Sequence, residues 1–278
     1  MKFICGKFEL SLDRPQIMGI VNLTPDSFSG DGLGASTERA IAHAQVQIAA
    51  GADMLDFGAE SSRPGAIPTS LDDELCRLLP VLEALSDCGL PISVDTYKPE
   101  VMRAALAAGA AMINDIYGLR MPGALEAVAG SDCAVCLMHM QGEPLTMQQQ
   151  PVYADVVAEV GAFLRERVAA AQVAGVARER LVLDPGFGFG KNFAHNVALL
   201  AGLPGLAAAG YPVVAGLSRK RMIGEITGRT PVRGVYLAGD GSGIAGADAA
   251  ELAGERAALA LLEDRGHAFD KPHVAALE

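Results

Sequence analysis

Seven short apolar runs alternate with seven Ala- and Leu-rich stretches along this chain, and that alternation constrains the fold more than any other feature. The runs fall at 17–21 (IMGIV), 53–57 (DMLDF), 91–95 (PISVD), 111–115 (AMIND), 134–138 (AVCLM), 181–184 (LVLD) and 212–217 (PVVAGL). Each has the length of a buried strand and is followed by polar or glycine-rich residues. The stretches at 36–50, 70–87, 98–108, 121–129, 152–174, 193–208 and 247–264 carry helical periodicity. Glycine marks many of their ends, as at Gly51, Gly109, Gly130, Gly175 and Gly210. An eighth strand is expected at 267–271, where HAFDK is a poor strand sequence. Strands alternating with helices give a parallel sheet covered by helices. One β/α barrel needs about 250 residues, and the chain has 278. The reading is therefore α/β: one (β/α)8 TIM barrel spanning residues 1–278, without internal repeat, low-complexity tail or interdomain linker.

Charge narrows the partners. The 22 basic and 33 acidic residues give a net charge of −11, which argues against nucleic acid and against an anionic membrane surface. A local cluster can still oppose that global field, so an anionic small substrate stays open. No run reaches the roughly 18 apolar residues of a membrane span, and the N-terminus has no signal-peptide pattern. The five cysteines are irregularly spaced, and Cys133-x-x-Cys136 has no second pair, so these read as core thiols in a cytoplasmic protein.

Barrel active sites gather at the C-terminal ends of the strands. Those ends carry Asn22, Asp56, Asp95, Asn114, Asp115, His139, Asp184 and Ser218-Arg219-Lys220. One such residue would be ordinary, because Asp and Asn favour turns. Their coincidence on nearly every strand points to a polar rim around one cavity. Asp95, Asn114, Asp184 and Lys220 would suit a flat heterocycle with an amino–ring-nitrogen edge. A carboxylate accepts two hydrogen bonds from such an edge, and a lysine donates to an exocyclic carbonyl. A pterin has that edge. His139 is read as a structural hydrogen-bonding residue. Asp56 stands open between a cap or loop partner and a chemical role. His43 and His195 are read as helix-surface residues.

The segments IMGIVNLTPDSFSGDG (17–32) and GADMLDFGAESSRPGA (51–66) resemble the two signature segments of dihydropteroate synthases. Further likeness lies in 92–118, 137–148, 181–200 and 216–229, so the resemblance runs in order to about residue 229. It implies a β/α barrel that condenses 6-hydroxymethyl-7,8-dihydropterin diphosphate with p-aminobenzoate in folate biosynthesis and is a sulfonamide target. By the same resemblance Asp95, Asn114, Asp184 and Lys220 would hold the pterin, with Met138, Phe189 and Gly216 packing near it. Ser218, Lys220, Ser62, Arg63, Pro64 and Phe28 would meet p-aminobenzoate. Asn22, Ser62, Arg63, Lys271 and His273 would approach the diphosphate, and Asn22 would help hold Mg²⁺. Asp95, Lys220 and Arg63 would carry the catalysis. Residues 23–34, with Thr24, Asp26 and Phe28, and residues 59–69 would be mobile loops over the site. The family is usually a homodimer.

Two glycine motifs are decoys for phosphate binding. Gly186-Phe-Gly-Phe-Gly-Lys191 lacks the first glycine and the Ser/Thr of a P-loop. Gly241–Gly246 matches G-x-G-x-x-G, but the strand pattern a dinucleotide fold needs is weak around it. Beyond residue 229 the chain departs from the family. Residues 230–246 look inserted, and Lys271-Pro272-His273 stands where Arg-x-His is usual. Lysine keeps the charge but loses the bidentate fork, and an altered reading frame is a second account of this segment. Two other functions fit parts of the pattern: a methyltetrahydrofolate–corrinoid methyltransferase domain, which would lack the Ser-Arg-Lys segment and the loop pair, and a non-catalytic pterin-binding protein.

Overall fold

The computed structural model describes residues 2–24, 37–62, 66–218, 220, 222 and 223. The chain opens with an antiparallel hairpin, β1 (Lys2–Cys5) and β2 (Phe8–Ser11). Six parallel strands then follow in strict sequence order: β3 (Met18–Asn22), β4 (Met54–Gly58), β5 (Ile92–Asp95), β6 (Met112–Asp115), β7 (Ala134–Met138) and β8 (Leu181–Asp184). They coincide with the first six apolar runs. The seventh run continues the sheet. Leu183 donates to the Pro212 carbonyl at 2.9 Å, Val214 donates to the Leu183 carbonyl at 2.8 Å, and Leu183 bridges Val213 in parallel. The expected eighth strand, the helix at 247–264 and the glycine-rich 241–246 lie outside the described residues.

Helices α1 (Thr37–Ala49), α2 (Leu71–Leu85), α3 (Pro99–Ala107), α4 (Ala124–Ala129), α5 (Val156–Val173) and α6 (Phe193–Ala207) occupy the expected gaps. Side-chain caps start several of them. Ser70 accepts from the Asp73 amide ahead of α2, and Asp155 accepts from the Val157 and Ala158 amides ahead of α5. Asn192 and His195 form a reciprocal capping box on α6, which gives His195 a local structural task at the helix entry. No described helix is long and apolar enough to cross a membrane.

The strands have two apolar faces with different duties. Leu55, Phe57, Val94, Ile113, Val135, Leu137, Leu181 and Leu183 point outward and pack against the helices in one continuous core. Their alternates point inward. At the N-terminal ends these are Met54, Met112, Ala134 and Val182, which form a second core with Phe3 and Cys5 of the hairpin. Cys5 Sγ lies 3.4 Å from the Ala111 carbonyl, in hydrogen-bond reach. The hairpin was not anticipated, yet the sequence signals it. Two alternating runs, KFIC and FELS, flank Gly6-Lys7, and Gly6 takes a positive φ of 56°. Cys133 and Cys136 are both buried free thiols in the core, as expected.

If the hairpin is part of the core, Phe3→Ala will lower the unfolding free energy by about 3 kcal/mol. Urea unfolding followed by circular dichroism measures it, and an unchanged midpoint would show that the hairpin is dispensable.

Candidate functional site

Towards the C-terminal ends the inward positions change from apolar to polar. Asp56 on β4 stands opposite Ser93 on β5, Asp95 on β5 opposite Asn114 on β6, and Met138 on β7 opposite Asp184 on β8. These alternate inward residues open into a cavity of about 810 Å³. Its wall contains Asn22, Ser62, Asp95, Asn114, Met138, Asp184, Phe189, Gly216, Ser218 and Lys220. Every described member of the expected site is thus on one surface. Phe28, Arg63, Pro64, Lys271 and His273 lie outside the described residues, as does Asp26.

The sequence reading also placed Asp115 on this rim. The structure moves it elsewhere, because side chains alternate along a strand and Asp115 follows the inward Asn114. Its carboxylate accepts from the Tyr117 and Leu119 amides, both at 2.8 Å, and shapes the turn after β6. Asp56, in turn, neither caps a helix nor pairs within a loop. It sits inside β4, buried, with its side chain in the cavity wall.

The electrostatics follow from burial. Asp95 is pushed well above the usual carboxylate range by loss of water and then by the negative charges of Asp56, Asp115, Glu74 and Glu60. Burial also raises Asp184, against an opposing 2.7 Å hydrogen bond from the Gly186 amide and the nearby Lys220 and Lys191. Lys220 is lowered by burial, with Asp184 and Asp95 opposing. Its Nζ lies 4.3 Å from the centre of the Phe189 ring, a cation–π contact.

The glycine-rich decoy has a physical explanation. The loop 185–191 wraps around its own lysine. Lys191 Nζ donates to the carbonyls of Gly186 at 3.0 Å, Phe189 at 2.9 Å and His139 at 3.3 Å, and lies 2.9 Å from His139 Nδ1. Burial, then the Lys191 charge, drive His139 down to about 3, so the imidazole beside Lys191 is neutral. His139 is therefore the structural hydrogen-bonding residue the sequence suggested. Burial pushes Lys191 itself down to about 7, opposed by Asp184. Two of the glycines are required by close approach. A Cβ on Gly186 would lie 1.9 Å from the His139 carbonyl oxygen, and one on Gly190 would lie 2.3 Å from that of Gln141. Asn196 Oδ1 accepts from the Gly188 amide at 2.8 Å and completes the frame that presents Phe189.

A second, part-buried cluster was also missed. Lys98 Nζ pairs with Glu60, with Glu74 at 2.5 Å and with the Thr69 carbonyl at 2.8 Å. Tyr97 donates to Glu60 at 2.8 Å, and Arg77 donates to the Ala59 carbonyl at 3.1 Å. These contacts fasten both ends of the segment 59–69, which carries Ser62. A signal was present, since Lys98 precedes the proline that opens α3 and Glu74 falls on the apolar stripe of α2.

Comparison with known proteins points to one family. A family model described as pterin binding enzyme matches residues 18–248. The dihydropteroate synthase of Escherichia coli (strain K12) is 50% identical over 227 residues, covering 81% of this chain and 80% of that protein. The structure of Xanthomonas albilineans dihydropteroate synthase with 4-aminobenzoic acid superposes with a TM-score of 0.75 at 55% identity, covering 82% of each chain. The Burkholderia cenocepacia enzyme complexed with 7,8-dihydropteroate gives 0.74 at 50%, covering 82% of this chain and 81% of that one. The Yersinia pestis enzyme with a sulfonamide drug complex gives 0.78 at 46%, covering 82% and 83%.

Replacing Lys191 by Met would leave its carbonyl acceptors buried without a donor, at about 1–3 kcal/mol each. Lys191→Met is expected to lower stability by roughly 3 kcal/mol in urea unfolding. An unchanged midpoint would show that the loop holds without its clamp.

Proposed function

Since this chain belongs to the pterin-binding enzyme family and is, within it, a dihydropteroate synthase, we propose that the rim residues of its cavity divide the two substrates of that reaction between them. The enzyme is a transferase. It condenses 6-hydroxymethyl-7,8-dihydropterin diphosphate with p-aminobenzoate to give 7,8-dihydropteroate and diphosphate. The observation that carries the assignment of roles is the convergence of Asp95, Asn114, Asp184 and Lys220, from four separate strands or their extensions, on one cavity.

Asp184 accepts two hydrogen bonds from the pterin's amino–ring-nitrogen edge, Asn114 meets the adjoining edge, and Lys220 donates to the ring carbonyl. Met138 and Phe189 pack on the ring. Gly216 leaves room beside it, since a Cβ there would sit 3.8 Å from Asp184 Oδ2. Ser218 and Lys220 contact p-aminobenzoate from the rim, with Phe28, Ser62, Arg63 and Pro64 closing over it. The Yersinia pestis relative forms a sulfonamide drug complex, and a sulfonamide would take the p-aminobenzoate place here because it mimics that substrate. Asn22, Ser62, Arg63, Lys271 and His273 approach the diphosphate.

The described residues hold no group of three His, Cys, Asp or Glu side chains suited to a metal. Mg²⁺ needs only one or two protein oxygens and fills its remaining positions with phosphate and water. Asn22, in the cavity wall at the end of β3, supplies such an oxygen. When bound, Mg²⁺ would offset charge on the diphosphate.

The C–O bond to the diphosphate breaks first, and the leaving group departs with the electron pair. The aryl amine, already neutral at pH 7, then gives its lone pair to the pterin methylene and releases a proton to diphosphate or solvent. The cavity suits a transient positive charge. Asp95 sits among four other acidic groups that already raise its pKa, and a cation on the pterin relieves that repulsion. Arg63 stabilises the leaving charge. We further propose a cytoplasmic homodimer.

Purified protein with the pterin diphosphate, p-aminobenzoate and Mg²⁺ should form dihydropteroate, and omission of Mg²⁺ should abolish it. Asp95→Asn should lower kcat by about 10²-fold or more. The acid limb of the wild-type kcat/KM profile should lie above the ordinary carboxylate range, because activity needs Asp95 ionised and burial raises its pKa. An added nucleophile should divert product without changing the rate. A rate rising with nucleophile strength would instead mean direct displacement.

A further inference from the structure

Among the described residues, four buried side-chain polar atoms have no hydrogen-bond partner: Asp56 Oδ1, Ser93 Oγ, Asn114 Oδ1 and Arg180 Nη2. Three of the four stand together. Asp56 pairs across the sheet with Ser93, and Asn114 lies on the next strand, all at inward positions. Ser93 lies close enough to Asp56 to hold its carboxyl down against the rise caused by burial, yet it does not reach hydrogen-bond geometry. A buried polar atom left unpaired costs about 1–3 kcal/mol. Two of these residues, Asp56 and Asn114, line the cavity, where a ligand can complete the bonding.

One bond within this group is made. Asn114 Nδ2 donates to Asp56 Oδ2 at 3.3 Å. A carboxylate accepts, so the NH₂ end of the Asn114 amide turns toward Asp56. The carbonyl end is thereby directed away from Asp56, unpartnered. Without Asp56 the amide could rotate by half a turn and present N–H donors where an oxygen now stands. Facing the N–H groups of a pterin edge, that flip would set donor against donor in a site with little water.

We propose that Asp56 is a positioning residue for pterin recognition, fixing the Asn114 amide with its carbonyl oxygen toward the ring. The inference rests on the proposed role of Asn114 as a pterin ligand. It assigns to Asp56 a task that acts through Asn114, which makes it testable by coupling rather than by loss alone.

The test is a double-mutant cycle in the full chain. Dissociation constants for 6-hydroxymethyl-7,8-dihydropterin diphosphate are measured by calorimetry, alongside KM for each substrate. Asp56→Leu, of similar size but without an acceptor, should weaken pterin binding about tenfold or more, while KM for p-aminobenzoate moves by less than about twofold. Asp56→Asn keeps an acceptor oxygen for Asn114 and should recover most of that loss. In an Asn114→Leu background, Asp56→Leu should add no further weakening. Additive losses would overturn the proposal, since Asp56 would then act independently of Asn114. Where Asp56→Leu fails to fold, as judged by circular dichroism, the cycle is run with Asp56→Ser, and the same additivity overturns the proposal. Unchanged pterin affinity in Asn114→Leu would sink the reading of Asn114 and this inference together. Weakened binding in Asn114→Leu with unchanged binding in Asp56→Leu would sink this inference alone.

Discussion

Three carboxylates and two ammonium groups leave water at one end of this barrel, and the surrounding structure is arranged to make that tolerable. Burial pushes each toward its neutral form: Asp56, Asp95 and Asp184 upward, Lys191 and Lys220 downward. An isolated buried charge is too costly to persist, and most of these groups have a compensating contact. Asp184 answers to both lysines and to a backbone amide. Asp56 has Asn114, and Lys191 has a cage of acceptors. Asp95 is the least compensated, with four acidic groups raising it further. The site is left with unspent hydrogen-bonding capacity and an excess of negative potential, which is the complement of a substrate rich in N–H donors that becomes cationic as it reacts.

Much of this was legible in the sequence because strand period and strand ends are local signals. The six inner strands and six helices fall where apolar periodicity places them. Asp95, Asn114 and Asp184 are visible as polar residues closing apolar runs. Asp115 shows the limit of that reasoning. A polar residue at a strand end is only half a prediction, because one step along the chain reverses the side chain. Asn114 faces the cavity and Asp115 faces the helices, although both sit at the same strand end.

What the sequence hid is long-range. Lys191 looked like part of a phosphate loop because glycines before a lysine usually free backbone amides for an anion. Here the same glycines let carbonyls crowd around the lysine, a polarity that depends on His139, 52 residues away in the chain. Lys98 likewise finds Glu60 and Glu74 only after folding. Lys191 depends on His139 just after β7, and Lys98 on the loop after β4 and on α2, pairings that spacing along the chain cannot reveal.

The amino-terminal hairpin has a kinetic implication. By filling the N-terminal ends of β4, β6, β7 and β8 with Phe3, Cys5 and their neighbours, it leaves traffic through the cavity to the opposite end. Among the described residues, Asp184, Asn114 and Ser218 all line the cavity between the C-terminal ends of the strands. Two guests that share one end of a cavity interfere with each other's passage: one already seated at the rim obstructs one bound deeper between the strands.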